Sequence, residues 1–142
     1  MSLKKSKIPR GIRNNNPLNI RVGNDWKGEV SDPTDHTFEQ FTDMKYGVRA
    51  AFIVLHNYIV RHKINTIEKI VSRWAPSNEN NTKAYINSVA KWMKQDPSEE
   101  VIWDNRPQMY MLVEAMCMHE NGECIDLEYI VEGYELANKM YA

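Results

Sequence analysis

The amino-acid sequence predicts a mainly α fold of class α+β, with about five helices and one small β-hairpin near the N-terminus. The 142 residues are 42% hydrophobic and 26% charged, which is the balance of a globular chain of one-domain size. From Tyr46 onward, apolar residues recur at the three- and four-residue spacing of amphipathic helices. Before that point, residues 8–44 are rich in Asn, Gly and Asp and contain only short β-type runs.

The hairpin is predicted from two of these runs, residues 18–22 and residues 36–41. The dipeptides Gly23-Asn24 and Asp32-Pro33 are turn signals that separate the two runs. We therefore expect two short antiparallel strands joined by an irregular connection. In front of them, residues 1–10 are expected to form a basic tail, in part a leader foreign to the fold, and residues 11–142 a single domain.

Two helices are predicted between Val48 and Pro76. The first extends to about His62, and its buried stripe is Val48, Ala51, Phe52, Leu55, Tyr58 and Ile59. Thr66 is suited to cap the second helix, because its hydroxyl can accept from a backbone N–H of the first turn. The stripe of this helix is Ile67, Ile70, Val71 and Trp74, and Pro76 ends it.

Three further helices are predicted in the C-terminal half. One follows the polar loop 77–82, with Tyr85, Ile86, Val89, Ala90 and Met93 buried. The next has Pro107 in its first turn and ends before Gly122, which suits the position after a helix C-terminus. Asp126 is suited to cap the last helix, and the buried positions there are Ile130, Val131, Tyr134, Ala137 and Tyr141.

Charge and hydropathy exclude several classes of protein. Residues 1–24 carry six Lys and Arg and no acid, so the rest of the chain is acidic although the total charge is only −1. An acidic body argues against nucleic-acid binding, which needs a basic face. The longest apolar stretch, residues 50–55, is too short to cross a membrane. No signal peptide is recognised, so we expect the chain to be made in the cytoplasm. We also expect a monomer without nucleic-acid or membrane partners.

Cys117 and Cys124 flank a His119-Glu120-Asn121-Gly122 segment. A zinc site would need paired cysteines and a fourth ligand, which this pattern lacks, so we expect neither a metal nor a cofactor. A local disulfide between the two cysteines is the alternative for a chain that works outside the cell. Without a signal peptide, free thiols are expected.

Glu120 is the candidate catalytic residue. It stands at the end of an apolar helix, where the backbone carbonyls form a negative pole and disfavour an exposed carboxylate by about 0.3–1 kcal/mol. Such a carboxyl group resists ionisation if apolar neighbours also desolvate it, and a protonated carboxyl group is what general-acid cleavage of a glycosidic bond requires. An ordinary surface Glu near a helix end is the alternative.

The segment from Arg13 to Arg21 is dense in asparagines, which donate and accept hydrogen bonds as sugar hydroxyls and N-acetyl groups require. Turn-forming asparagines that organise the backbone are an equally weighted alternative. Aromatic side chains that could stack on pyranose rings, or simply fill the core, are Trp26, Trp74, Trp92, Trp103, Tyr46 and Tyr85.

Several motifs taken together resemble a family of phage and prophage virion structural or lysozyme-like proteins. They are residues 11–20 (GIRNNNPLNI), Trp26-Lys27-Gly28, residues 38–41 (FEQF), residues 47–51 (GVRAA), residues 73–76 (RWAP), residues 79–82 (ENNT) with Tyr85, and residues 119–122 (HENG). The resemblance spans Gly11 to about Ala137. It implies a lysozyme-like helical domain, with virion association or release to the cell wall after synthesis.

Two segments are also similar to peptidoglycan-cleaving enzymes. Residues 15–21, followed by Phe38 and Phe41, resemble a region of bacterial glucosaminidases, and residues 79–89 resemble a lytic transglycosylase segment whose Tyr approaches the catalytic Glu. In those relatives the catalytic Glu ends a helix that precedes the Asn-rich segment. Here the helix ending in Glu120 follows that segment, so the resemblance implies a circular permutation of the lysozyme-like fold.

The resemblance implies cleavage of peptidoglycan glycan strands, with Glu120 as proton donor and Tyr85 beside it. The residues expected to contact the glycan are Asn15, Asn16, Asn19, Arg21, Trp26 and Asn81. A transglycosylase needs one carboxyl group and a hydrolase usually two, for which Glu39 and Glu79 are the candidates. The alternatives are a non-catalytic virion structural or glycan-binding protein that contacts other virion proteins, and an adaptor that binds through its acidic C-terminal helices.

Overall fold

The computed structural model describes residues 8–76 and 79–141, with the backbone alone for Glu79 and Asn80. In chain order the α-helices are α1 (Arg10–Arg13), α2 (Met44–His56), α3 (Ile67–Trp74), α4 (Glu79–Met93), α5 (Arg106–Asn121) and α6 (Leu127–Asn138). A π-helical turn, Asn57–Arg61, continues α2, and a 3₁₀ turn, Lys139–Tyr141, follows α6. The predicted mainly helical fold is confirmed.

Helix α2 lies at the centre of the core. The carboxylate of Asp43 caps its first turn by accepting from the Lys45 N–H. Phe52 on this helix is fully buried, and its ring meets the ring of Tyr134 on α6 edge to face, with centroids 5.2 Å apart. The Tyr134 hydroxyl donates to the Trp103 carbonyl at 2.8 Å, so the cluster joins α2, α6 and the α4–α5 connection.

Capping side chains begin α3 and α5, of which Thr66 was predicted and Asn105 was not, whereas the Asp126 side chain, predicted to cap α6, makes no capping hydrogen bond. The Thr66 hydroxyl accepts from the Lys69 N–H at the start of α3, and the Asn105 side chain accepts from the Gln108 N–H at the start of α5. Helix α5 ends at Gly122, whose φ of 76° lies in the left-handed region that glycine adopts without strain. Helices α4 and α5 pack side by side, and α3 packs on α4. The end of α5 is therefore held beside the middle of α4.

The predicted β-hairpin is not formed, and this expectation was wrong. Within the described residues, segments 18–22 and 36–41 meet through an isolated antiparallel bridge between Arg21 and Phe38. The Glu39 N–H donates to the Ile20 carbonyl, but the reciprocal ladder bond is replaced by the Asn16 side chain, which accepts from the Ile20 N–H and donates to the Glu39 carbonyl. Asn19, with φ of 54°, also leaves the extended region, so the segment cannot continue as a strand.

The helix boundaries differ from the prediction in three places. Arg10–Arg13 forms a short helix inside the segment expected to be irregular, and α4 begins at Glu79 rather than after the polar loop. The first long helix changes to a π turn at Asn57. In the part of the chain that the structure describes, no helix is long and apolar enough to cross a bilayer.

Candidate functional site

Glu120 lies in the last turn of α5, partly buried, with both carboxyl oxygens hydrogen-bonded. Oε1 accepts from the Asn19 side-chain amide at 2.8 Å, and Oε2 accepts from the Tyr85 hydroxyl at 3.0 Å. The two donors offset the unfavourable position of a carboxylate at the negative end of a helix. They also fix the orientation of the carboxyl group, so that three distant segments meet at one point.

Tyr85 reaches Glu120 from the middle of α4. Its side chain is only 4% exposed, and burial, together with the nearby Glu120 carboxylate, raises the pKa of its hydroxyl well above the ordinary range. The hydroxyl is therefore a stable hydrogen-bond donor at neutral pH. The Tyr85 ring stacks on the His119 ring, with centroids 4.0 Å apart and planes at 26°. This stack fixes the direction in which the hydroxyl points.

Asn19 is brought to Glu120 by the loop that follows α1. Its φ of 54° turns the backbone so that the amide faces the end of α5, a conformation that Asn tolerates better than most residues. Asn121, next to Glu120, donates to the Pro17 carbonyl at 2.8 Å and thereby fixes the loop to α5. The Asn19–Glu120 contact is therefore one of two hydrogen bonds between the same segments.

Gly11 supports this arrangement because the two segments approach its backbone closely. A Cβ at this position would lie 2.5 Å from Oδ1 of Asn121 and 3.0 Å from Oδ1 of Asn19. Any larger residue would displace both amides. Gly11 and Asn121 stand in the motifs that carried the family resemblance, but the sequence analysis assigned neither of them to the site.

A cavity of about 190 Å³ lies beside Asn19. It is lined by Asn19, Ile20, Arg21, Val54, Tyr58 and Trp74. Tyr58 and Trp74 meet edge to face with centroids 6.1 Å apart, and burial raises the pKa of the Tyr58 hydroxyl, an effect that Arg73 opposes. The cavity combines aromatic faces, an amide and the Arg21 guanidinium, which are the groups that a sugar ring with polar substituents requires.

The other predicted asparagines have different surroundings. Asn15, with φ of 53°, donates to the Phe41 carbonyl at 3.0 Å. Asn16 is fully buried, and both of its amide hydrogens are donated to backbone carbonyls. These two residues organise the loop that carries Asn19. Asn81 is exposed in the first turn of α4.

Trp26 is partly buried against the core, and its backbone N–H donates to the Glu29 carboxylate at 2.8 Å. No contact between Trp26 and Glu120 is recorded among the described residues. The structure therefore brings Glu120, Tyr85 and Asn19 together directly, with Arg21 on the cavity beside them. The indole nitrogen of Trp26 is buried without a hydrogen-bond partner in the described part of the chain.

Of the two candidate second carboxylates, Glu39 can be described. It is buried beside Glu29, and burial raises its pKa from 4.5 to about 7, with the Glu29 carboxyl group and the nearby Asp25 acting in the same direction. Glu39 and Glu29 form an acid pair that sequence reasoning missed, because the two residues lie ten positions apart in an irregular segment. The Glu79 side chain lies outside the described residues.

Cys117 and Cys124 are free thiols. Cys117 is buried on α5, and burial raises its pKa to about 11, whereas Cys124 is exposed. In the ranges that the structure describes, no group of three or more His, Cys, Asp or Glu side chains is arranged to hold a metal ion.

The fold and the site define a helical domain in which a helix-terminal carboxyl group is held by an asparagine and a tyrosine from distant segments. No protein-family model matches the chain. A sequence match at 40% identity over 117 residues shows that the chain belongs to a family of phage proteins. The relative is Protein P5 of Pseudoalteromonas phage PM2, and the match covers 80% of this chain and 71% of that protein. The predicted resemblance to phage proteins is thereby confirmed, and the lysozyme-like domain stays a prediction.

Proposed function

We propose that this chain is a structural component of a phage particle that binds the glycan strands of peptidoglycan. The first part of this proposal, the structural role in a particle, is supported by the membership of this chain in the family of a PM2 phage protein. The second part is supported by the amide, aromatic and basic residues that line the cavity beside Asn19. In this proposal residues 11–142 are one lysozyme-like domain, and the protein is made in the cytoplasm and then joins the virion or is released to the wall.

The particle role is tested by purifying virions from a strain that carries the gene. We expect the protein to co-purify with intact particles at constant stoichiometry through a density gradient, in contact with other virion proteins. Its absence from particles, with free protein in the lysate, would overturn the structural role.

A second candidate function is cleavage of the glycan strand, and the Glu120 geometry favours it. Glu120 is held between Asn19 and Tyr85, and Asn19 also lines a cavity of about 190 Å³ with two aromatic side chains. In its protonated form, Glu120 would donate a proton to the bridging oxygen as the glycosidic bond breaks. Tyr85 and Asn19 would then stabilise the resulting carboxylate by donating to its two oxygens.

Two mechanisms can complete the reaction. In a transglycosylase, a hydroxyl of the substrate itself attacks the anomeric carbon, so that Glu120 suffices. In a hydrolase, water attacks, and a second carboxylate, Glu39 or Glu79, takes part. In either case the permuted order of segments is no obstacle, since Asn19 and Glu120 are in contact whichever comes first in the chain.

The experiment that separates binding from cleavage compares wild-type protein with Glu120→Gln on purified peptidoglycan. Gln keeps the size of the side chain but has no transferable proton, so we expect fragment release to fall by about 10²–10⁴-fold with glycan affinity nearly unchanged. Glu123→Gln, just beyond the helix end, is the matched control. Mass spectrometry distinguishes the mechanisms, because a transglycosylase product is lighter than a hydrolase product by one water. Binding without fragment release in both proteins would leave the glycan-binding structural role.

A further inference from the structure

A second groove lies on the surface between α4 and α5, and it begins at the residue before Glu120. Its volume is about 700 Å³, and Trp92, Lys91, Lys94, Met118 and His119 are among the residues that line it. It is separate from the cavity beside Asn19, with which it shares no lining residue.

The apolar part of the groove is preformed. Trp92 is 40% exposed, which is high for so large an apolar side chain, and its indole N–H donates to Oε1 of Glu114 at 3.0 Å. This hydrogen bond fixes the indole, and Met118 and Ala115 supply the apolar surface next to it. The groove therefore offers a fixed aromatic face to methyl and methylene groups.

The polar edge of the groove is cationic. Lys91 lies in the last turn of α4, and Lys94 follows the helix with φ of 56°, where the Gln95 N–H donates to the Ala90 carbonyl. Lysines at a helix C-terminus complement its negative pole, but both of these side chains also line the groove. The nearby carboxylate, Glu114, already accepts from Trp92. The groove thus combines two ammonium groups with an apolar floor.

One residue of the groove is linked to Glu120 through an aromatic contact. His119 is exposed and lines the groove, and its ring stacks on buried Tyr85, whose hydroxyl donates to Glu120. A ligand that extends from Glu120 across His119 would therefore reach Trp92. The occupant of the groove is expected to be attached to the ligand of the Glu120 site.

We propose that this groove binds the stem peptide that peptidoglycan carries on its glycan strands. The stem peptide combines alanine methyl groups with free carboxylates, which match Trp92 and Met118 on the floor and Lys91 and Lys94 at the edge. This assignment rests on the proposed glycan-binding function and adds to it: the protein recognises peptidoglycan rather than polysaccharide in general.

The test measures binding by calorimetry to two preparations of the same glycan strands, one intact and one stripped of stem peptides by an amidase. Wild-type protein is expected to bind the intact strands about fivefold more tightly or better, because partly exposed ion pairs contribute up to about 1 kcal/mol each. The double variant Lys91→Glu/Lys94→Glu is expected to lose this preference and to keep its affinity for stripped strands. Lys83→Glu is the control, since it makes one charge reversal of the same kind on another face of α4, and the single variants Lys91→Glu and Lys94→Glu are compared with it.

The possible outcomes are distinguishable. If wild-type protein binds neither preparation, the glycan-binding function itself is wrong. Equal binding to both preparations, unchanged in the double variant, overturns the stem-peptide assignment alone. If sedimentation shows a wild-type dimer that becomes monomeric in Trp92→Ala, a second copy of the chain covers the groove. This result would also overturn the stem-peptide assignment. If charge reversal prevents folding, Lys91→Gln/Lys94→Gln replaces it and is expected to show the same loss of preference.

Discussion

The side-chain amide of Asn19 donates to Oε1 of Glu120 across 101 residues of sequence, at 2.8 Å. This contact joins the loop after α1 to the last turn of α5. A second contact, from Asn121 to the Pro17 carbonyl, follows the same path at 2.8 Å. The relationship gives Glu120 a defined orientation that its own helix could not provide, because a helix end offers only carbonyl groups to a neighbouring carboxylate.

Removing the Tyr85 hydroxyl should weaken the site without removing its aromatic stack. Tyr85→Phe keeps the ring against His119 but deletes the donor to Glu120, so we expect the free energy of unfolding to fall by about 0.5–1.5 kcal/mol. Urea denaturation measures this change. A double-mutant cycle with Glu120→Ala, which removes both acceptor oxygens, isolates the contact, and a coupling energy near zero would contradict the hydrogen bond.

Replacing Asn19 by glycine should impair glycan binding in addition to the stability lost with its hydrogen bond to Glu120. Glycine adopts the φ of 54° that Asn19 has, so the variant removes the amide and keeps the backbone path. We expect a loss of about 0.5–1.5 kcal/mol in glycan affinity, measured by calorimetry. Asn15→Gly is a close control, because Asn15 has nearly the same φ but donates to the Phe41 carbonyl. Equal losses of affinity in the two variants would argue against a direct role of Asn19.

Stability should depend on pH through Glu39. Its pKa is raised by folding from 4.5 to about 7, so the folded state binds the proton more tightly than the unfolded state. The stabilising contribution is therefore complete below about pH 4.5 and is lost as the pH rises through about 7. The side chain of the Glu39→Gln variant cannot ionise. Between pH 5 and pH 8 its urea midpoint should therefore fall less than that of the wild type, and the difference should correspond to the contribution of Glu39 in the wild type. If the urea midpoints of the two proteins changed in parallel with pH, this prediction would be wrong. Glu68→Gln, at an exposed position, is the control.

Asp35 should show the opposite pH dependence. The Arg10 guanidinium holds the pKa of this carboxyl group well below its usual range, with help from the Phe38 N–H and the Asn14 amide. Because the pKa is lowered by folding, the contribution is present above the unfolded value of about 4 and is lost as the pH falls. Asp35→Asn should lower the urea midpoint at pH 7, and its difference from the wild type should shrink steadily as the pH falls below about 4. A constant difference across this range would contradict the ion pair, and Asp32→Asn controls for surface charge.

The helices were predictable because their signals are local. The Thr66 cap, Pro107 in the first turn of α5 and Gly122 after its end act within one turn of the chain, and the structure has them where the sequence predicts. The absence of the hairpin could not be predicted, because strand pairing here depends on the direction of the Asn16 side-chain amide. A side chain that competes with the β ladder leaves the residue pattern of a strand unchanged.

The site was predictable only in part. Glu120 has a local signal, its position at a helix end, and Tyr85 was implied by the resemblance to lytic transglycosylases. Their contact depends on how α4 packs on α5, which no spacing in the sequence encodes. The acid pair of Glu29 and Glu39 depends on chain folding within an irregular segment, so periodicity gives no sign of it.

The separation of 101 positions between Asn19 and Glu120 also determines when the site can first form during synthesis. A ribosome adds about 5–20 residues per second, so the loop that carries Asn19 waits roughly 5–20 s for its partner to be synthesised. During that interval α2 and α3 can begin to form, because the hydrogen bonds within a helix are local, whereas the carboxyl group that Asn19 orients has not yet been made. A nascent chain therefore carries no assembled Glu120 site until α5 has left the ribosome.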